Sequence, residues 1–330
     1  MLFSVIIPVF NRPEEVRELL ESFVKQNFTD YEIILVEDGS SLSSKDVYET
    51  FASILPVKYF EKTNSGPGQS RNFGADRAAG EWLIFLDSDC ILPENYLEVL
   101  ARKLRNSSLD SFGGPDAGHP AFSPVQKAIS ISMTSFMTTG GIRGGSEKMD
   151  KFHPRSFNMG YTREVYNTTG GFSKLRFGED IDMSVRILKA GFKTGLIREA
   201  WVYHKRRTDF KKFFKQVYNS GIARINLQKR HPGTLKAVHV LPALFVLGIP
   251  GCILLGIFLH PIFYVFPLLP AAGLLIEGSL KAGSVYIGYL TVAAGYVQLT
   301  GYGLGFINAF FKRYLLGKGE FDAFRDNFYE

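Results

Sequence analysis

Apolar and polar positions in the first hundred residues follow two alternating periods. Residues 3–9 are an apolar run rich in β-branched side chains, closed by Pro8 and Asn11, and predict a strand. From Pro13 the spacing changes. Val16, Leu19, Leu20, Phe23 and Val24 recur at helical intervals and predict a helix with that buried stripe, capped by Asn11. The alternation repeats: residues 32–36 predict a second strand, 57–60 a short third, 70–79 a helix and 82–86 a fourth strand. Near-continuous apolar strands separated by amphipathic helices predict an α/β fold, a mostly parallel sheet covered on both faces. Residues 111–171, rich in Gly, Ser, Met and Phe with weak periodicity, read as loops over a crevice. Residues 179–190 and 208–230 read as helices, the second basic with interleaved Phe210, Phe213, Phe214 and Tyr218.

Beyond residue 237 the pattern changes again. Residues 238–259 carry no Asp, Glu, Lys or Arg, and a span of about 20 apolar residues crosses a hydrocarbon core. Residues 261–276 are shorter and contain Pro267 and Pro270, whereas 284–311 are long and glycine-rich. Two or three membrane segments are expected. Residues 193–236 hold 12 Lys or Arg against Glu199 and Asp209, whereas 237–311 hold only Glu277 and Lys281 as formal charges. By the positive-inside rule this basic side faces the cytosol. Gly295, Gly301, Gly303 and Gly305 would pack helices closely, join two copies in a homo-oligomer, or lie in an ordinary packed span. Only Cys90 and Cys252 occur, which argues against a disulfide framework. The apolar N-terminus lacks a basic leader region and reads as a strand, not a signal peptide.

The chemistry begins where the fourth strand ends. EWLIFLDSDC at 81–90 runs into Asp87 and Asp89, two carboxylates one residue apart. In open parallel sheets ligands bind beyond the carboxyl ends of the strands. Asp38, after the second strand, and the Asp87/Asp89 pair would therefore converge on one crevice. An Asp-x-Asp pair suits a hard divalent cation such as Mg²⁺ or Mn²⁺, which relieves the repulsion between the acids and neutralises a diphosphate. A solvated acidic turn is the alternative for an isolated pair.

An ordered series of stretches carries a resemblance. SVIIPVFNR at 4–12, VEDGS at 36–40, GPGQSRNFGAD at 66–76, LDSD at 86–89, FNMGYTREVY at 157–166 and GFSKLRFGEDIDMSVRI at 171–187 together resemble the family 2 glycosyltransferases, which have the GT-A fold. The resemblance covers roughly residues 3–230. It implies that Pro8, Phe10 and Arg12 line the nucleotide base and ribose, that Asp38 binds the base, and that Arg71 is a donor-site arginine. It implies that Asp87 and Ser88 lie near the ribose and sugar, and that Asp89 is the direct metal ligand, with Asp87 beside it and His204 as a third. Asp180 resembles the catalytic base, with Glu179 the second choice. FNMG would shape the sugar pocket. His119 and His153 read as incidental.

The implied function is inverting, Mn²⁺- or Mg²⁺-dependent transfer of one sugar from a nucleotide-sugar, UDP-linked by family tendency, to a hydroxyl of a glycan or lipid-linked acceptor. HKRRTDF at 204–210 replaces the Gln-x-x-Arg-Trp pattern of processive synthases, which favours single-sugar transfer. A polyprenyl-phosphate glycosyltransferase and a non-catalytic membrane scaffold are the alternatives. The expected division is a catalytic domain at 1–204, a basic interfacial helix or linker at 205–236 meeting membrane lipids, and a membrane-associated region at 237–330. The expected location is the inner (cytoplasmic) membrane, with the catalytic domain in the cytosol. No nucleic-acid-binding motif accompanies the basic stretch.

Overall fold

A computed structural model of the protein describes residues 1–119, 121–140 and 152–324. In chain order the elements are β1 (Phe3–Val9), α1 (Pro13–Val24), β2 (Tyr31–Asp38), α2 (Lys45–Phe51), β3 (Val57–Lys62), α3 (Pro67–Ala75), β4 (Trp82–Leu86), β5 (Cys90–Ile91), α4 (Tyr96–Arg105), β6 (Ser111–Gly113), β7 (Asp116–Ala117) and α5 (Pro124–Thr134). They continue with α6 (Phe136–Thr139), β8 (Asn158–Thr162), α7 (Arg163–Thr169), α8 (Glu179–Lys189), β9 (Thr194–Leu196), β10 (Val202–His204), α9 (Phe210–Arg230), α10 (Leu241–Phe258), α11 (Leu269–Ala282) and α12 (Val285–Phe310). Two compact units emerge. The first contains the described residues up to 119 and from 152 to 205; the second contains 121–140 and 206–324. This division differs from the expected one, because α5 and α6 group with the C-terminal helices.

The first unit is built on a seven-stranded sheet in the order β3-β2-β1-β4-β8-β6-β9. β1, β2, β3 and β4 run parallel, and β8 is antiparallel to β4 and β6. The period-2 alternation of the strands sorts the core. Val5, Ile7, Val9, Ile33, Leu35 and Ile84 pack on one face with α1 and α4, whereas Ile6, Ile34, Val36, Leu83 and Phe85 pack on the other with Ala75, Met183 and Ile187. A small second sheet, β5-β10-β7, lies in the same unit.

Three expectations change. Asn11 does not cap α1; it sits at φ +54°, and Arg12 precedes the helix without a side-chain cap. The Asn11 Oδ1 instead accepts from the Ser41 and Leu42 amides at 2.8 and 2.9 Å, tying the end of β1 to the turn after β2. An Asx side chain serves a turn as readily as a helix start. The helix expected at 70–79 starts earlier, at Pro67, because Gly66 takes the left-handed backbone (φ +91°) that admits Pro67 at the first turn. Residues 111–171, expected as loops, include β6, β7, β8, α5, α6 and α7; residues 141–151 of that range lie outside the described residues.

Among the described residues of the second unit, three helices are long and apolar enough to cross a membrane, Leu241–Phe258, Pro261–Ala282 and Val285–Leu315. α12 is their hub. A Cβ on Gly301 would meet Val217 Cγ2 at 2.6 Å, one on Gly305 the Tyr218 carbonyl oxygen at 2.0 Å, one on Gly303 the Pro242 carbonyl oxygen at 2.4 Å, and one on Gly295 the Leu274 Cδ1 at 2.4 Å. All four glycines thus admit helices of the same chain: α9, α10 and α11. Lys215, read as part of a basic surface, is buried with its ammonium over the Phe324 ring at 5.9 Å.

Candidate active site

β1 has β2 on one side and β4 on the other, so the crevice at their carboxyl ends is a topological switch point. Asp38 ends β2, Phe10 and Arg12 follow β1, and Asp87, Ser88 and Asp89 follow β4. Pro8 sits inside β1 opposite Val36. The carboxylate of Asp38 is buried and already holds three donors. Its Oδ1 and Oδ2 accept from the Ser65 and Gly66 amides, each at 2.9 Å, and Lys62 Nζ bonds Oδ1. With about four lone-pair sites on a carboxylate, one remains for an outside donor. Glu37 beside it accepts from the Ser44 amide at 2.8 Å and from Ser40 Oγ, and so closes the turn after β2.

The small sheet brings the expected metal ligands together. β10 pairs antiparallel with β5 in a register that sets His204 opposite Cys90, next to Asp89. The His204 Nε2 lies 3.2 Å from Asp89 Oδ1 and 3.8 Å from Asp87 Oδ2. Two cis ligands about 2.1 Å from an octahedral ion are ~3.0 Å apart, so this oxygen, oxygen and nitrogen set fits Mg²⁺ or Mn²⁺. Cys90 also lies within 4.8 Å of Asp89 and His204. Burial pushes its thiol pKa well above the ordinary value, and it donates to the Phe157 carbonyl, so it is not a ligand for a hard cation. Arg12 bonds Asp89 Oδ2. The ring of His204 stacks on Phe157 at 4.9 Å, 17° from parallel. Its Nδ1 is buried without a hydrogen bond, 4.0 Å from Asp116 Oδ2. Phe157 is the first residue of FNMG, and the next, Asn158, is buried and holds Ala200 O (2.8 Å) and Tyr96 (2.7 Å). The rings of His119 and Tyr203 meet in a T-shaped contact at 4.8 Å.

The expected base lies on α8. That helix opens at Gly178 in the left-handed region (φ +83°), which turns Glu179 and Asp180 inward. Arg71, 3% exposed on α3, joins two parts of the site: Nη2 to Asp87 Oδ1 at 2.7 Å and Nη1 to Glu179 Oε1 at 3.0 Å. Gly74, one turn on, lets α3 lie close on the sheet; a Cβ there would meet Ile6 Cγ2 at 2.5 Å. Asp180 Oδ2 accepts from Arg155 Nε at 2.6 Å, and Oδ1 from the Ile181 amide at 2.8 Å. Burial and the neighbouring Asp180 charge push Glu179 up to about 7, against the pull of Arg71. Burial would raise Asp180 as well, but the Arg155 guanidinium outweighs it, and the pKa falls below the ordinary value. Among the described residues, the acids Asp87, Asp89, Asp116, Glu179 and Asp180 thus lie with the guanidiniums of Arg12, Arg71 and Arg155.

Arg155 and Asp116 were not singled out in the sequence. Neither lies in a periodic segment. The signals present were a charged residue just before a strand, HPRSFNMG, and a glycine-bounded acid, GGPDAG.

The fold places these side chains at the carboxyl ends of β1, β2 and β4, and comparison with known proteins gives the family. Residues 4–170, half of the chain, match Glycosyl transferase family 2, so the chain belongs to that family. It is 40% identical over 196 residues to an uncharacterized glycosyltransferase of Haemophilus influenzae, covering 57% of this chain and 62% of that protein. It is 40% identical over 105 residues to the poly(ribitol-phosphate) beta-N-acetylglucosaminyltransferase TarS of Staphylococcus aureus, covering 31% of this chain and 18% of TarS. The chain thus spans less than two thirds of these relatives' lengths. Among solved structures, the mannosyltransferase PcManGT from Pyrobaculum calidifontis in complex with GDP-Man and Mn²⁺ superposes with a TM-score of 0.63 at 14% identity, over 89% of this chain and 86% of that one. TarS 1–349 in complex with UDP-GlcNAc superposes at 0.50 and 17% identity, over 99% and 95%. These likenesses establish the GT-A fold.

Proposed function

We propose that the enzyme is an inverting, divalent-metal-dependent transferase. It moves one sugar from a UDP-sugar to a hydroxyl of a glycan or lipid-linked acceptor, in surface polysaccharide or glycolipid synthesis. The observation that carries this reading is the approach of His204 Nε2 to Asp89 and Asp87, with Arg71 linking Asp87 to the Glu179–Asp180 pair. TarS, whose name specifies N-acetylglucosaminyl transfer and which binds UDP-GlcNAc, supports a UDP-linked donor.

In this reading Pro8, Phe10, Arg12 and Asp38 line the base and ribose, and Ser88 lies along the ribose and sugar. Asp89, Asp87 and His204 would hold Mn²⁺ or Mg²⁺, which supplies charge neutralisation to the departing diphosphate. Asp180 takes the proton of the acceptor hydroxyl. That oxygen bonds to the anomeric carbon from the face opposite the diphosphate, and the carbon–oxygen bond to the diphosphate breaks with its electron pair. The configuration inverts. Arg71 keeps Asp87 and Glu179 fixed while the charge moves. The three apolar helices and the basic stretch at 193–236 support attachment to the inner (cytoplasmic) membrane, with this chemistry on the cytosolic side.

The test is UDP release from UDP-GlcNAc and UDP-glucose by detergent-purified protein. Release should need Mn²⁺ or Mg²⁺ and stop in EDTA. Release that continues unchanged in EDTA contradicts the metal-dependent reading.

A further inference from the structure

The three arginines of the crevice are not equivalent. Arg71 is 3% exposed, with Nη1 on Glu179 and Nη2 on Asp87. Arg12 bonds Asp89. Arg155 is different. Its side chain is 40% exposed, it bonds Asp180 through Nε alone, and its two Nη groups make no hydrogen bond among the described residues. A guanidinium donates through two edges, and the open Nη edge matches the paired oxygens of a phosphate. That edge stands beside the carboxylate assigned as base, where an acceptor must place its hydroxyl. Each Asp180 oxygen holds one donor, Ile181 N or Arg155 Nε. Each therefore keeps a lone pair for the acceptor's proton while the Arg155 contact stays intact.

We propose that Arg155 is an acceptor-selecting residue: its open Nη edge binds a phosphate group carried by the acceptor next to the hydroxyl that Asp180 receives. This rests on the reading of Asp180 as the base and adds a substrate class, a phosphate-bearing acceptor. The shared chemistry covers two sources, a lipid-linked phosphate and a soluble phosphodiester unit. The lowered pKa of Asp180 agrees with a persistent Arg155 contact. Glu179 and Asp116 are the other acids that bear on Arg155, and both strengthen its positive charge.

The test is arginine footprinting of the full chain in detergent, with no nucleotide or metal added. Phenylglyoxal modification of Arg155 is followed by mass spectrometry of its peptide, with exposed Arg105 as the internal reference. Glycerol 3-phosphate should slow modification of Arg155 at least threefold and leave Arg105 unchanged, whereas glycerol and sodium chloride of matched ionic strength should do neither. Farnesyl phosphate protecting at lower concentration than glycerol 3-phosphate assigns the phosphate to a lipid-linked acceptor; equal or weaker protection assigns it to a soluble phosphodiester. An Arg155 rate unaltered by both phosphates, or slowed equally by sodium chloride, overturns the proposal. Because no donor is needed, that failure stands apart from failure of the transferase reading, which nucleotide binding decides.

Discussion

In the first unit, buried or half-buried carboxylates are held by arginines: Asp89 by Arg12, Asp87 and Glu179 by Arg71, Asp180 by Arg155. In the second unit, long apolar helices meet through glycines, and side-chain bonds such as Ser132 Oγ to Gln298 at 2.7 Å and Asn308 Nδ2 to Tyr218 at 2.8 Å join elements that those glycines bring close. The difference is one of what fixes position. Around the crevice, directional bonds set the geometry, and removing one partner leaves an unpaired buried charge. Among the helices, close backbone approach sets it, and the damaging change is to add atoms.

The largest effect expected is on chemistry. Asp180→Asn should lower turnover by roughly 10²–10⁴-fold while leaving donor binding intact, as read by steady-state rates and calorimetry on the same samples. Wild-type turnover in this variant would break the assignment and favour a phosphate acceptor, which needs no base.

Arg71→Met tests whether the crevice depends on pairing. It leaves Asp87 and Glu179 without their shared cation and should destabilise the protein by about 3–5 kcal/mol, seen as a lowered Tm. An unchanged Tm would remove the contrast between the units.

On the helical side, Gly305→Ala places a Cβ against the Tyr218 carbonyl and should cost about 1–3 kcal/mol. Gly248→Ala, with nothing within 4 Å of its added Cβ, should be neutral or stabilising by roughly 0.5–1 kcal/mol. Equal Tm values for the two variants would contradict close packing as the organising rule.

The smallest effect is a pH slope. Glu179 is raised from 4.5 to about 7, so the folded state holds its proton more tightly than the unfolded chain. Its contribution to stability is full below 4.5 and is lost as pH rises to about 7. Glu179→Gln should flatten the Tm profile across that window. A profile that keeps its slope would assign the dependence to another group.

Much of the crevice was legible because its acids end apolar strands. The runs that become β2 and β4 stop at Asp38 and Asp87, Arg12 lies just beyond β1, the motif series contains Arg71 and Asp180, and the family resemblance pointed to His204. What was missed depends on register and distance. Nothing local marks His204 as the partner of Cys90 across β5 and β10, or Arg155 as the partner of Asp180. α5 did have a signal. Ser123-Pro124-Val125-Gln126 forms a capping box with Pro at the first turn, and weak apolar periodicity obscured it. The glycines of α12 were noticed, but only three-dimensional packing revealed which helices they admit.

The most direct measurement is calorimetric binding of UDP, GDP and dTDP to detergent-purified protein, with and without Mn²⁺, for wild type and Asp89→Ala. The account predicts that UDP binds wild type only with the metal and that the substitution abolishes binding. A folded wild-type sample that binds none of the three nucleotides, or a variant that binds UDP as tightly as wild type, would contradict a metal-assisted diphosphate site at Asp87, Asp89 and His204.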